Sequence, residues 1–141
     1  FQKWVNEKKY DGGKLSDDQR QLRQFYGDLL AMSRENAAIA GGDYFDLTVN
    51  NTIAGNCSER IVSFARVKGD ERLVIIAGFN NKPEHVRIQL TEQVVSAFNF
   101  SESTQYIGRD LLRSGLDVGL DDKYTFEVDV PPFSSFILKF K

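Results

Sequence analysis

The sequence predicts a mainly β fold: an antiparallel, Greek-key-like β-sandwich preceded by one amphipathic N-terminal α-helix. Three observations carry that expectation. Leu73 to Phe79 (LVIIAGF) is an unbroken uncharged run rich in Val and Ile, the pattern of a strand covered on both faces. Short runs of apolar and polar alternation recur from Asp43 to Phe140, separated by turn residues about every eight to twelve positions, the spacing of a sandwich. The clearest helical period lies ahead of them, between Ser16 and Asn36.

Phe1 to Leu15 (FQKWVNEKKYDGGKL) is polar, carries Gly12-Gly13 and follows neither a strand nor a helix period, so it reads as a loop. Ser16-Asp17-Asp18-Gln19 is a capping box, with Ser16 as N-cap, Gln19 at the third helical position and two carboxylates where the helix dipole favours them. Leu22, Phe25, Tyr26, Leu29 and Leu30 then form one apolar stripe, which fades near Asn36, and Gly41-Gly42 ends the segment. From Asp43, Phe45, Leu47 and Val49 alternate with Asp46 and Thr48 as a strand, and Asn50 to Glu59 reads as a polar loop.

The centre of the fold is a hairpin. Ile61 to Val67 (IVSFARV) and the Leu73 run are joined through Gly69-Asp70, a pair suited to a tight turn. That turn sets Lys68 opposite Glu71, with Phe64 opposite Ile75 and Val62 opposite Ala77 on one apolar face. Ala65 opposite Val74 and Ser63 opposite Ile76 make the other face. Neither face alternates with charge, so each needs a cover. One expected cover is the helix stripe docked on the second apolar face. Past an Asn80-Asn81-Lys82-Pro83 turn, Val86, Ile88 and Leu90 alternate with Arg87 and Gln89 as a half-exposed strand. Within Thr91 to Arg113 the short-strand candidates are Tyr106-Ile107 and Asp110 to Leu112, with Gly108 and Gly115 as breaks. GLDVGLDD reads as a solvated loop. Tyr124, Phe126, Val128 and Val130 alternate cleanly, Pro131-Pro132 stops the run, and Ser134 to Phe140 closes the chain as a strand.

Composition narrows the function classes. At 141 residues and 41% hydrophobic the chain can bury a real core, and 27% charged residues suit a folded domain. Eighteen Lys and Arg against 20 Asp and Glu give a net charge of -2 with no basic run, which argues against a nucleic-acid partner. No run is long and apolar enough to read as a membrane span. Cys57 is the only cysteine, excluding an internal disulfide and any cysteine-based metal cluster. The first residue is Phe1 and the only methionine, Met32, lies inside the helical stretch, so a piece of a longer polypeptide is expected.

No motif carries chemistry outright, and no cofactor is expected. His85 is the only histidine, so a Ser-His-Asp or Cys-His nucleophile would have to use it, yet it shares the solvent parity of Arg87 and Gln89. Asp117, Asp121 and Asp122 lack the spacing and central glycine of a calcium loop. Asn50, Asn56 and Asn99 each begin an N-x-[ST] triplet, which marks surface loops. Trp4, Tyr10, Tyr44 and Tyr106 are the aromatic side chains that could contact a sugar ring, since an amphipathic aromatic offers an apolar face with a polar edge.

The run LRQFYGDLLAMSRENAAI, residues 22 to 39, followed by a strand, then RLVIIAGFNNKPEHVRIQL and the closing VPPFSSFILKF, resembles the C-terminal end of the α-amylase family, glycoside hydrolase family 13. The helix resembles that family's L-R-x-F-Y-x-x-L-L element, and VIIAGFN its apolar strand ending in Asn. Ala37 departs from the pattern, since the family often has Pro after Glu-Asn.

The resemblance implies a last barrel helix and its preceding loop over residues 1–40 and a C-terminal β-sandwich domain over 41–141. It implies a parent that hydrolyses, transfers or branches α-glucans, whose catalytic carboxylates lie upstream on a barrel absent from this chain. This chain alone is then expected to be non-catalytic, with the catalytic barrel of the same parent chain as its partner. The alternative expectation is a carbohydrate-binding module docking α-glucan on exposed aromatics. Under the resemblance Trp4 and Tyr10 sit on the loop that opens toward the active-site face of a (β/α)8 enzyme. The stripe Leu22, Phe25, Tyr26, Leu29 and Leu30, deprived of barrel strands, is expected to promote self-association. Gly108-Arg109-Asp110 resembles the family's nucleophile motif only in isolation.

Overall fold

The computed structural model describes residues 5–101, 105–112 and 114–141. It divides into two compact units, Phe1–Glu35 and Asn36–Lys141. In the first, Asn6 and Lys9 exchange two backbone hydrogen bonds of 2.8 Å, and α1 spans Asp17–Glu35. Its start is the reciprocal capping box: Ser16 N–H donates to Gln19 Oε1 (3.1 Å) and Gln19 N–H to Ser16 Oγ (3.4 Å).

The second unit is an antiparallel sandwich. Its elements are α2 (Ala37–Gly41), β1 (Asp43–Asp46), α3 (Thr48–Ile53), β2 (Ile61–Lys68), β3 (Glu71–Gly78), β4 (Glu84–Gln89), α4 (Glu92–Phe98), β5 (Ile107–Asp110), β6 (Asp117–Gly119), β7 (Thr125–Val130) and β8 (Ser135–Phe140). A six-stranded sheet runs in the order β1-β2-β3-β8-β5-β6, and a second sheet pairs β4 with β7. The hairpin register is the one the turn dictates, with Lys68 opposite Glu71, Phe64 opposite Ile75 and Val62 opposite Ala77. Ala65, Val74, Ile76 and Leu138 from the large sheet meet Val86, Ile88, Val128 and Val130 from the small one, all in a single buried core. Gly108 lies against Phe140: a Cβ there would come within 2.6 Å of the ring. The glycine is a packing requirement inside β5, so it does not break the strand as the sequence suggested.

Five local expectations are corrected. The strand expected through Leu47 and Val49 ends at Asp46, and Thr48–Ile53 is helix. Side chains take over from the ladder there: Asp46 Oδ1 accepts the Thr48 N–H (2.8 Å), while Thr48 Oγ1 donates to Ser63 O and accepts from Ser63 N–H (both 2.9 Å). Glu92–Phe98, to which the sequence assigns no element, is a helix capped by Thr91, whose hydroxyl accepts from Val94 N–H (3.4 Å), and it ends on Asn99 in the left-handed region. GLDVGLDD contains β6, held by the buried Val118. The strand placed at Asp110 to Leu112 lies two or three residues earlier, and β7 begins after Tyr124, whose φ of 55° cannot continue a strand.

The helix α3 joins the two sheets. Thr48 bonds β2 as described, and the buried Asn51 reaches β4 on the other side with its amide. Its Nδ2 donates to Leu47 O (2.9 Å) and Gln89 O (3.1 Å), and its Oδ1 accepts from Gln89 N–H (2.9 Å) and Asn56 Nδ2 (3.0 Å). The side chain thus imitates a strand at the free edge of β4.

Candidate functional site

Strand parity gives the large sheet an outer face, turned away from the core. Its first row is Tyr44, Arg66, Leu73, Lys139 and Arg109; its second is Phe64, Ile75 and Ile137; its third is Val62, Ala77 and Ser135. The first row is polar and anchors α2, which packs on β2 and β3. Arg66 Nε and Nη2 donate to Ala38 O (3.0 Å) and Ile39 O (3.2 Å). Glu71 Oε2 accepts the Ala38 N–H (3.0 Å), and Lys139 Nζ reaches both Glu71 Oε1 (3.0 Å) and Asn36 Oδ1 (2.9 Å). The Ala38 hydrogen bond, with the Lys139 ammonium behind it, holds the Glu71 carboxyl below its usual range against the pull of desolvation. Leu73 on this row is fully buried.

The other two rows are different in kind. Phe64, Ile75, Ala77 and Ile137 are only half-buried and Val62 is exposed, although all are apolar. Tyr44 lies at their edge, 57% exposed, with its ring 5.3 Å from that of Phe64. A partly open apolar sheet face of this kind is a candidate contact surface.

The aromatics expected to contact sugar have different settings. Trp4 lies outside the described residues. Tyr10, on the N-terminal loop, is 68% exposed. Tyr106 is half-buried among aromatics, 4.1 Å from Phe100 between centroids, and its hydroxyl accepts the Ser101 N–H (2.8 Å). Phe100 stacks on Tyr124, and Arg72 sits over the rings of Phe100 and Tyr106 (5.8 Å to each) while donating to the Phe98 carbonyl.

The nucleophile candidates find other partners. His85 Nδ1 is 2.7 Å from Asp129 Oδ1 and Nε2 is 3.4 Å from Glu127 Oε2, on the solvent face of the β4-β7 sheet. Cys57 contacts Thr52 Oγ1 at 3.9 Å, and burial pushes its thiol pKa up, away from reactivity. Asp110 serves the backbone, accepting from Ile137 N–H (3.0 Å) and Ser114 N–H (3.1 Å). Among the described residues no three His, Cys, Asp or Glu side chains are grouped to hold a metal, and no helix is long and apolar enough to cross a membrane. Sequence reasoning found the apolar rows through the hairpin register. It missed Arg66, Glu71 and Lys139 as the anchors of α2; their parity with Leu73 was the available signal.

Known proteins share this fold. No family model matches the chain. It is 25% identical over 135 residues to the 1,4-alpha-glucan branching enzyme GlgB 2 of Clostridium perfringens, covering 89% of this chain and 20% of that protein. Among solved structures it superposes on AmyP in complex with maltotriose with a TM-score of 0.67 at 16% identity, over 93% of this chain and 23% of that one. It also matches an Anoxybacillus α-amylase (TM-score 0.64, 17% identity, 92% and 25% covered). The fold is one found within α-amylases. The α-amylase of Geobacillus thermoleovorans, solved with acarbose, shares it at a TM-score of 0.64 and 14% identity, over 94% of this chain and 26% of that one. The chain spans only a fifth to a quarter of the length of the proteins it matches.

Proposed function

We propose that this chain is the non-catalytic C-terminal domain of an enzyme that hydrolyses, transfers or branches α-glucans, and that it supports the catalytic barrel of the same parent chain. The observation that carries the reading is the half-open apolar face of the large sheet, Val62, Phe64, Ile75, Ala77 and Ile137, on a chain that matches so small a share of its relatives. Covering such a face removes apolar area from water and stabilises at about 25 cal/mol per Å2. The α1 stripe fits the same role. Leu22, Phe25, Tyr26 and Leu30 are exposed and α1 has no buried residue, as befits a helix whose natural neighbours lie elsewhere in the parent. Retaining glycosidases need two carboxyl groups about 5 to 5.5 Å apart across the scissile bond, and the family's motifs for them lie outside this sequence.

The test is catalytic. The purified chain should release no reducing sugar from starch, maltodextrin or glycogen. Turnover that disappears when any one carboxylate of this chain is replaced would refute the reading.

A further inference from the structure

The end of the outer face near β5 and β6 has a chemistry that packing does not account for. Arg109 on β5 lies directly opposite Lys139 on β8. Like charges facing across a ladder repel and destabilise it. One step along, Lys141 exchanges two backbone hydrogen bonds of 3.2 Å with Ile107, which brings a third cation to the same place. Among the described residues two carboxylates answer these three cations: Asp117 Oδ1 lies 3.1 Å from Arg109 Nε and Glu71 Oε1 lies 3.0 Å from Lys139 Nζ.

Ile107, Arg109, Leu111, Lys139 and Lys141 line a cavity of about 270 Å3. Its apolar floor is Ile107 and Leu111. Its donors are held in position and only partly spent. Asp117 grips Arg109 through Nε, which leaves the terminal nitrogens, the fork that meets a carboxylate or phosphate with two parallel hydrogen bonds. Lys139 uses two of its three ammonium hydrogens, on Glu71 and Asn36.

We propose that this cavity binds a small organic oxyanion, a phosphate or carboxylate on a compact apolar body, with Arg109 as the bidentate donor and Lys139 and Lys141 closing around it. The bound anion relieves the repulsion between Arg109 and Lys139, and its apolar body covers Ile107 and Leu111.

The experiment is an NMR titration of the 141-residue chain with phenyl phosphate at constant ionic strength. Saturating shifts should be confined to the amides from Ile107 to Leu111 and from Lys139 to Lys141. Affinity should be on the order of millimolar and fall at least about tenfold in Arg109→Gln and in Lys141→Gln. Inorganic phosphate should bind more weakly than phenyl phosphate. Lys82→Gln, in the turn beyond the opposite end of β3, should titrate as the wild type does. The proposal is overturned if Arg109→Gln binds unchanged, if Lys82→Gln weakens binding as much, or if chloride reproduces the shifts. Unchanged β4 and β7 amides in each variant show that it has folded.

Discussion

Replacing Asn51 by Ala removes the amide that holds α3 to the small sheet. Four hydrogen bonds go with it, but their losses differ. Asn56 is half-buried and its side chain can turn to water, and the Leu47 carbonyl keeps the Asn51 backbone N–H at 3.2 Å. The Gln89 N–H and carbonyl, both part-buried at these contacts, lose the partner that Asn51 supplied. At about 1 to 1.5 kcal/mol for each of those two, plus a smaller sum for the others, Asn51→Ala should destabilise the chain by about 2 to 4 kcal/mol. Urea unfolding followed by far-UV circular dichroism measures it, with the slope unchanged. Asn50→Ala is the control, because Asn50 is exposed and its loss should lie within about 0.5 kcal/mol. Asn51→Asp is the sharper variant: a carboxylate accepts from Gln89 N–H but cannot donate to either carbonyl. Its folded pKa should therefore be raised, so that stability is recovered as pH falls and the acid protonates. A loss below about 1 kcal/mol in Asn51→Ala would show that water replaces the amide and that α3 is not clamped in this way.

Other perturbations probe other parts. The Asp129 hydrogen bond, with Glu127 beside it, raises the His85 pKa above 6.5, so the stabilisation is complete below that value and is lost as pH rises through the folded pKa. NMR titration of the imidazole should show the raised value in the wild type and a drop in Asp129→Asn; an unraised wild-type value contradicts the pairing. Gly108→Ala drives a methyl to 2.6 Å from the Phe140 ring and should destabilise by about 1 to 3 kcal/mol, read as a lower Tm; an unchanged Tm would mean the ring can move aside. Calorimetry with maltoheptaose should find affinity no tighter than about millimolar, roughly 4 kcal/mol, and micromolar binding abolished by Tyr44→Ala or Tyr106→Ala would favour a sugar-binding role instead. Light scattering should show self-association rising with concentration and reduced in Leu22→Asp or Leu30→Asp; a strictly monomeric wild type excludes it.

Where one local rule acts alone, the sequence was legible. The capping box at Ser16 and the Gly69-Asp70 turn each fix geometry within a few residues, and the turn carried the register of the whole β2-β3 pair with it. What was hidden depends on partners far along the chain. Phe45 to Val49 alternates as a strand should, yet Ser63 draws Thr48 out of the ladder and Gln89 recruits Asn51. Gly108 looks like a break until Phe140 is placed against it. The candidate site divides the same way. Hairpin parity revealed the apolar rows, whereas the cluster of Arg109, Lys139 and Lys141 exists only because β8 is paired with β5.

That pairing has a consequence for how the chain comes to be folded. β8 is the last strand to be synthesised, yet it occupies the interior of the large sheet, between β3 and β5. At about 5 to 20 residues per second, a ribosome leaves the β2-β3 hairpin waiting for several seconds with the β8 edge of β3 unpaired. During that interval β3 is a template for any other extended chain, and a nascent chain is at its most vulnerable to aggregation. A premature stop within the closing strand does not fray an end but takes out a middle stave, separating β5 and β6 from the rest of their sheet.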